Sequence, residues 1–76
     1  MKNKISQILK EIRSEFDFNS DVNFIDNGML DSFDVVALVT ALDDEYNISI
    51  EGTDIIPENF STINSIISLL SKYGVK

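Results

Sequence analysis

The sequence predicts an all-α domain: a small bundle of three main helices plus one short helix, with a long loop between helices 1 and 2. Three observations carry this. Apolar residues recur at helical spacing in three separate stretches, strand-like alternation is confined to Ile48–Glu51, and turn formers concentrate in residues 17–31. With 76 residues and no cysteine, the chain is expected to form one domain over residues 1–76. That is near the lower size limit for folding without disulfides or metal.

Ile5, Ile8, Leu9, Ile12 and Phe16 share one face of a helix expected from Asn3 to Phe16, with polar residues opposite. Residues 17–31 break that period. Asn19, Ser20, Asp21, Asn23, Asp26, Asn27 and Gly28 are turn formers, and Val22, Phe24, Ile25, Met29 and Leu30 are apolar points able to pin the loop onto a core. A loop of this length with its own anchors is expected to be ordered and to carry function.

The second helix is expected to start at Asp31 or Ser32, either of which can cap it, and to end at Tyr46. Asp34, three residues after Asp31, gives an approximate capping box, and Asn47 suits a left-handed terminator. Such a helix spans roughly 22 Å, enough to cross the domain. Beyond it, Ile48–Glu51 reads as an extended stretch that Gly52 and Thr53 interrupt. Pro57 allows only a short helical turn within Asp54–Asn59. Ser61 or Thr62 then caps a last helix whose apolar face is Ile63, Ile66, Ile67 and Leu70, ending near Tyr73 before Gly74.

The second helix breaks two local rules. Val35, Leu38, Val39, Leu42 and Tyr46 form a core stripe, but Phe33, Val36, Ala37 and Thr40 form another. Either the 17–31 loop covers this second stripe, or it stays exposed to dock partners or line a ligand groove. Asp43, Asp44 and Glu45 also occupy the last turn, where the helix dipole penalises acids by a few tenths to about 1 kcal/mol each. They are either tolerated surface acids or, with Asp31 and Asp34, an acidic ridge suited to a partner rich in Arg and Lys.

Charge is segregated. The formal net charge is −7, and every acid but Glu11 lies between Ser14 and Ser71, where there is no base. This field disfavours nucleic acid and anionic membrane surfaces. No run approaches the roughly 18 apolar residues of a membrane span, and no secretory leader pattern follows the basic start. A cytoplasmic monomer is the expectation.

Catalysis is poorly provided for. Without histidine there is no Ser-His pair, and the lysines cluster near the two ends of the chain, far in sequence from Ser32. Asp21, Asn23 and Ile25 start a calcium-loop pattern and miss its third ligand, so no metal site is expected. Ser32, between two aspartates at a helix start, suits attachment better than chemistry of its own.

Gly28-Met29-Leu30-Asp31-Ser32-Phe33-Asp34, followed by an apolar helix ending Leu42-Asp43-Asp44-Glu45-Tyr46 and then Asn47-Ile48-Ser49-Ile50, closely resembles the acyl and peptidyl carrier proteins. The family motif is Asp-Ser-Leu at the start of the second helix, and the resemblance runs over nearly the whole chain. It implies an acyl-carrier-like bundle that is not an enzyme. It also implies that Ser32 bears 4′-phosphopantetheine, transferred from coenzyme A by a phosphopantetheinyl transferase (a holo-carrier synthase) whose magnesium lies beside Asp31.

The cargo would be a thioester on the cofactor's thiol: fatty acyl, D-alanyl, another aminoacyl group or a polyketide unit. Acyl- or aminoacyl-loading and transferring enzymes with basic docking surfaces would be the partners, meeting Phe33, Asp34, Val36, Ala37, Thr40, Asp43, Asp44 and Glu45. Phe33 stands where leucine is usual, Ala37 and Thr40 where fatty-acid carriers have an acid and a methionine, and Asn47 where glycine is common. The run Ile55-Ile56-Pro57-Glu58-Asn59-Phe60 is similar to D-alanyl and specialised-pathway carriers. The alternative is an unmodified acidic interaction module in which Ser32 only caps a helix.

Overall fold

A computed structural model describes residues 2–18 and 22–75; the turn formers Asn19, Ser20 and Asp21 lie outside the described residues. Helix α1 spans Lys2–Ile12, α2 Ser32–Tyr46 and α3 Ile63–Lys72, with short 3-10 turns at Gly52–Asp54 and Pro57–Phe60. The described residues contain no strand. The expected small helical bundle is therefore the fold.

The core lies where the three helices and the long loop meet. Ile5 and Leu9 of α1, Leu38 and Leu42 of α2, and Ile66 and Leu70 of α3 are fully buried, as are Phe18, Phe24 and Phe60 from the connections. Burial of a Leu, Ile or Phe side chain stabilises by about 1.5–3 kcal/mol, so these side chains dominate the apolar driving force. The domain measures only 29 × 24 × 18 Å. A bundle this thin leaves each helix with one face outside.

Helix α1 is a turn shorter than its apolar pattern suggests. The backbone bond from Arg13 N to Leu9 O (2.9 Å) completes it, and Phe16 N then turns back to Arg13 O. Aromatic packing takes over: Phe16 meets Phe18 edge-on with centroids 6.3 Å apart, and Phe18 meets Phe24 at 5.0 Å. Phe16 shares the apolar period of α1 because it packs on the same core, not because the helix continues.

The loop before α2 is ordered by its own polar groups. The Asn23 side-chain oxygen accepts from Ile25 N (3.0 Å) and Asp26 N (2.9 Å), starting a tight turn. Gly28 ends it in the left-handed region (φ 70°). Phe24 O then accepts from Met29 N and Leu30 N, while Phe24 N donates to Ser61 O at 2.7 Å. Phe24, Met29 and Leu30 are buried anchors, whereas Val22, expected to be one, is 38 % exposed.

The stretch after α2 also departs from expectation at Gly52–Asp54, a 3-10 turn where an extended loop was expected. The Asp54 side chain explains it. Its carboxylate is covered by α3, accepting from Lys72 Nζ (2.8 Å) and Tyr73 Oη (2.5 Å). Tyr73 Oη in turn accepts from Glu51 N (2.9 Å), and the Asp54 carbonyl accepts from Asn59 Nδ2 (2.8 Å). Asp54 thereby ties residues 51–59 to the end of α3. Thr62, rather than Ser61, caps α3 by accepting from Ser65 N at 3.0 Å.

Candidate functional site

Ser32 is the first residue of α2, exposed, one position after the cap Asp31. The cap is reciprocal. Asp31 Oδ1 accepts from Asp34 N (2.9 Å), and Asp34 Oδ2 accepts from Asp31 N (3.1 Å). The bond from Asp34 N is the main cause that holds the Asp31 carboxyl below its ordinary range, with help from the Arg13 charge and against partial desolvation. Asp31 thus stays ionised, and the helix start does not use the Ser32 hydroxyl.

An apolar cleft of about 380 Å³ opens beside Ser32. Loop residues Ile25 and Leu30, Val35 and Val36 of α2, and Ile55 and Ile56 line it. Each wall follows from local structure already described: the Asn23 turn sets Ile25, the helix period sets Val35 and Val36, and the Asp54 anchor sets Ile55 and Ile56. The 17–31 loop does not cover the second stripe of α2. Phe33 is 84 % and Val36 59 % exposed, and Ala37 and Thr40 are exposed as well. The Thr40 hydroxyl donates back to Val36 O of the same helix at 3.1 Å.

The acids of α2 have different surroundings. Asp43 Oδ1 accepts from Ile50 N (3.0 Å), which fixes the chain after the helix, and Asn47 adopts the expected left-handed conformation (φ 55°). Glu45 lies 3.9 Å from Lys4 of α1, and Asp44 is exposed. Asp34 is only 14 % exposed in its side chain, with Arg13 Nε at 3.6 Å. The fold brings Arg13, from the basic end of the sequence, to the head of α2, where its guanidinium lies 5.5 Å over the Phe16 ring.

In the sequence Arg13 stands with the bases near the chain's start, and no local pattern gives Asp54, Lys72 or Tyr73 a role. Tertiary contact alone joins residues so far apart, although an Asp before an apolar pair and a Lys-Tyr pair at a helix end were visible signals. Among the described residues no group of three or more acids could hold a metal ion, and no helix is long and apolar enough to cross a membrane.

A family model described as a phosphopantetheine attachment site matches residues 1–70. A D-alanyl carrier protein from Bacillus velezensis is 27 % identical over 73 residues, covering 93 % of this chain and 94 % of that relative. No solved structure gives a significant match. The chain belongs to the family of carrier proteins built on a phosphopantetheine attachment site, in which 4′-phosphopantetheine is held covalently.

Proposed function

We propose that Ser32 is the attachment point and that the protein shuttles an aminoacyl group of the D-alanyl kind between enzymes. The observation that carries this is the setting of Ser32: an exposed residue at the start of α2, not needed by the cap, in the lining of an apolar cleft. The cofactor, when bound, supplies a terminal thiol that holds the cargo as a thioester. The residues present suit such a group. The positive end of α2 favours a phosphodiester on Ser32. Asp31, an exposed carboxylate next to Ser32, suits a transferase that brings a divalent cation to the serine.

The cargo reading rests on the D-alanyl carrier relative and on the Ile55–Phe60 run. A phosphopantetheinyl transferase would install the cofactor, and separate enzymes would load and unload it. Nothing in the site favours the unmodified interaction module, whose Ser32 cap is supplied by Asp31 instead.

Incubation with coenzyme A, magnesium and a promiscuous phosphopantetheinyl transferase tests the reading. Intact-protein mass should rise by one cofactor in the native chain and not in Ser32→Ala. An unchanged mass in the native folded protein, or the same gain in Ser32→Ala, would overturn it.

A further inference from the structure

Charges at both ends of α1 show that it runs antiparallel to α2. Lys4, near the start of α1, faces Glu45 near the end of α2 at 3.9 Å. Arg13, just past the end of α1, faces Asp34 in the first turn of α2 at 3.6 Å. This topology carries a guanidinium to the head of α2, where Ser32 stands. Other described bases lie elsewhere: Lys72 is bound to Asp54, Lys2 opens α1, and Lys10 lines a separate recess with Ser6, Asp17 and Phe18.

Arg13 is held there without being satisfied. Its guanidinium lies over the Phe16 ring, while its side chain keeps 32 % of its surface exposed. Its Nε is buried with no hydrogen bond among the described residues, 3.5 Å from Glu15 and 3.6 Å from Asp34. Asp34 Oδ2 is already occupied, accepting from Asp31 N at 3.1 Å. The Arg13 charge also reaches Asp31, where it adds to the stronger effect of the bond from Asp34 N in keeping that carboxyl low.

A phosphodiester on Ser32 adds a permanent negative charge beside Asp31, in a chain already at −7. Like charges a few ångströms apart repel, and the base at this corner already serves Glu15, Asp31 and Asp34. A guanidinium is also the side chain whose planar donors best match phosphate oxygens. We propose that Arg13 is the counter-charge of the phosphodiester at Ser32, its guanidinium donating to the phosphate oxygens and fixing the root of the cofactor arm. This rests on Ser32 being the attachment point. Arg13 is then a positioning residue and takes no part in the thioester chemistry.

The test compares apo and holo forms, made with coenzyme A and the promiscuous transferase, by thermal melting at low and high salt. In Arg13→Gln at low salt, loading should lower the melting temperature by at least about 2 °C more than in the native chain. Arg13→Lys should recover part of that difference, and about 1 M salt, where the Debye length is about 3 Å, should erase it. Loss of the Asp34 pair alone lowers apo and holo forms equally, so equal loading shifts in the native chain and Arg13→Gln overturn the proposal. A second measurement needs no variant: in nitrogen-edited NMR spectra of the native chain, the Arg13 Nε–H resonance should move on loading. A fully loaded chain in which that resonance stays put overturns the part given to Arg13 and leaves the attachment reading standing. A native chain that gains no cofactor mass overturns the attachment reading itself and this proposal with it.

Discussion

Asp31 and Asp34 cap each other: each carboxylate accepts the other's backbone N–H, at 2.9 and 3.1 Å, across the first turn of α2. Ser32 lies inside this loop of bonds without contributing to it. Asp31→Ala should therefore lower the urea midpoint measurably, whereas Ser32→Ala should shift stability by no more than about 0.5 kcal/mol. Equal losses in the two variants would mean that Ser32 shares the capping.

Asp54 makes stability depend on pH at both ends of the scale. Its hydrogen bonds from Lys72 and then Tyr73 hold its carboxyl below the ordinary 3.8. That contribution is complete above 3.8 and is lost as pH falls through the lower folded value. The same bonds to Asp54 raise Tyr73 above 10.0 and Lys72 above 10.5. Their contribution is complete below those values and is lost as pH rises through the folded ones. Urea midpoints should be flat from about pH 5 to 9 and fall on either side. Asp54→Asn should lower the plateau and flatten the alkaline fall; an unchanged alkaline limb would contradict the network.

Two glycines should respond oppositely to alanine. Nothing lies within 4 Å of a Cβ built on either, but Gly28 has φ +70° and Gly52 does not lie in that region. Gly28→Ala should cost about 1–2 kcal/mol in backbone strain. Gly52→Ala should be neutral or stabilise by up to about 1 kcal/mol, because the unfolded chain loses freedom. Thermal melts of both variants decide it.

Tyr46 should tolerate loss of its hydroxyl. The oxygen is buried and makes no hydrogen bond within the described residues, and burial raises its pKa. Tyr46→Phe should keep or raise the urea midpoint. A clear loss would reveal a partner for that oxygen.

Much of this architecture was legible in the sequence because the signals are local. The bounds of α2, the Asp31–Asp34 box and the left-handed Asn47 depend on residues a few positions apart, and all appear as the pattern implies. The last turn of α1 was misread because Phe16 satisfies the helical period while packing from a loop. Val22 was misread as an anchor, since apolarity alone does not say which loop residues face inward. The 3-10 turn at Gly52–Asp54 and the pairing of Arg13 with Asp34 depend on contacts across 18 and 21 positions, which no local pattern carries. The placement of Ser32 at a helix start could be read directly, but the cleft beside it required the third wall from Ile55 and Ile56.

The most direct measurement is the fragment mass spectrum of the protein isolated from the cells that make it. The expected spectrum shows 4′-phosphopantetheine on Ser32, with an aminoacyl thioester on some of the molecules. A population carrying no cofactor, or carrying it on a residue other than Ser32, would contradict it.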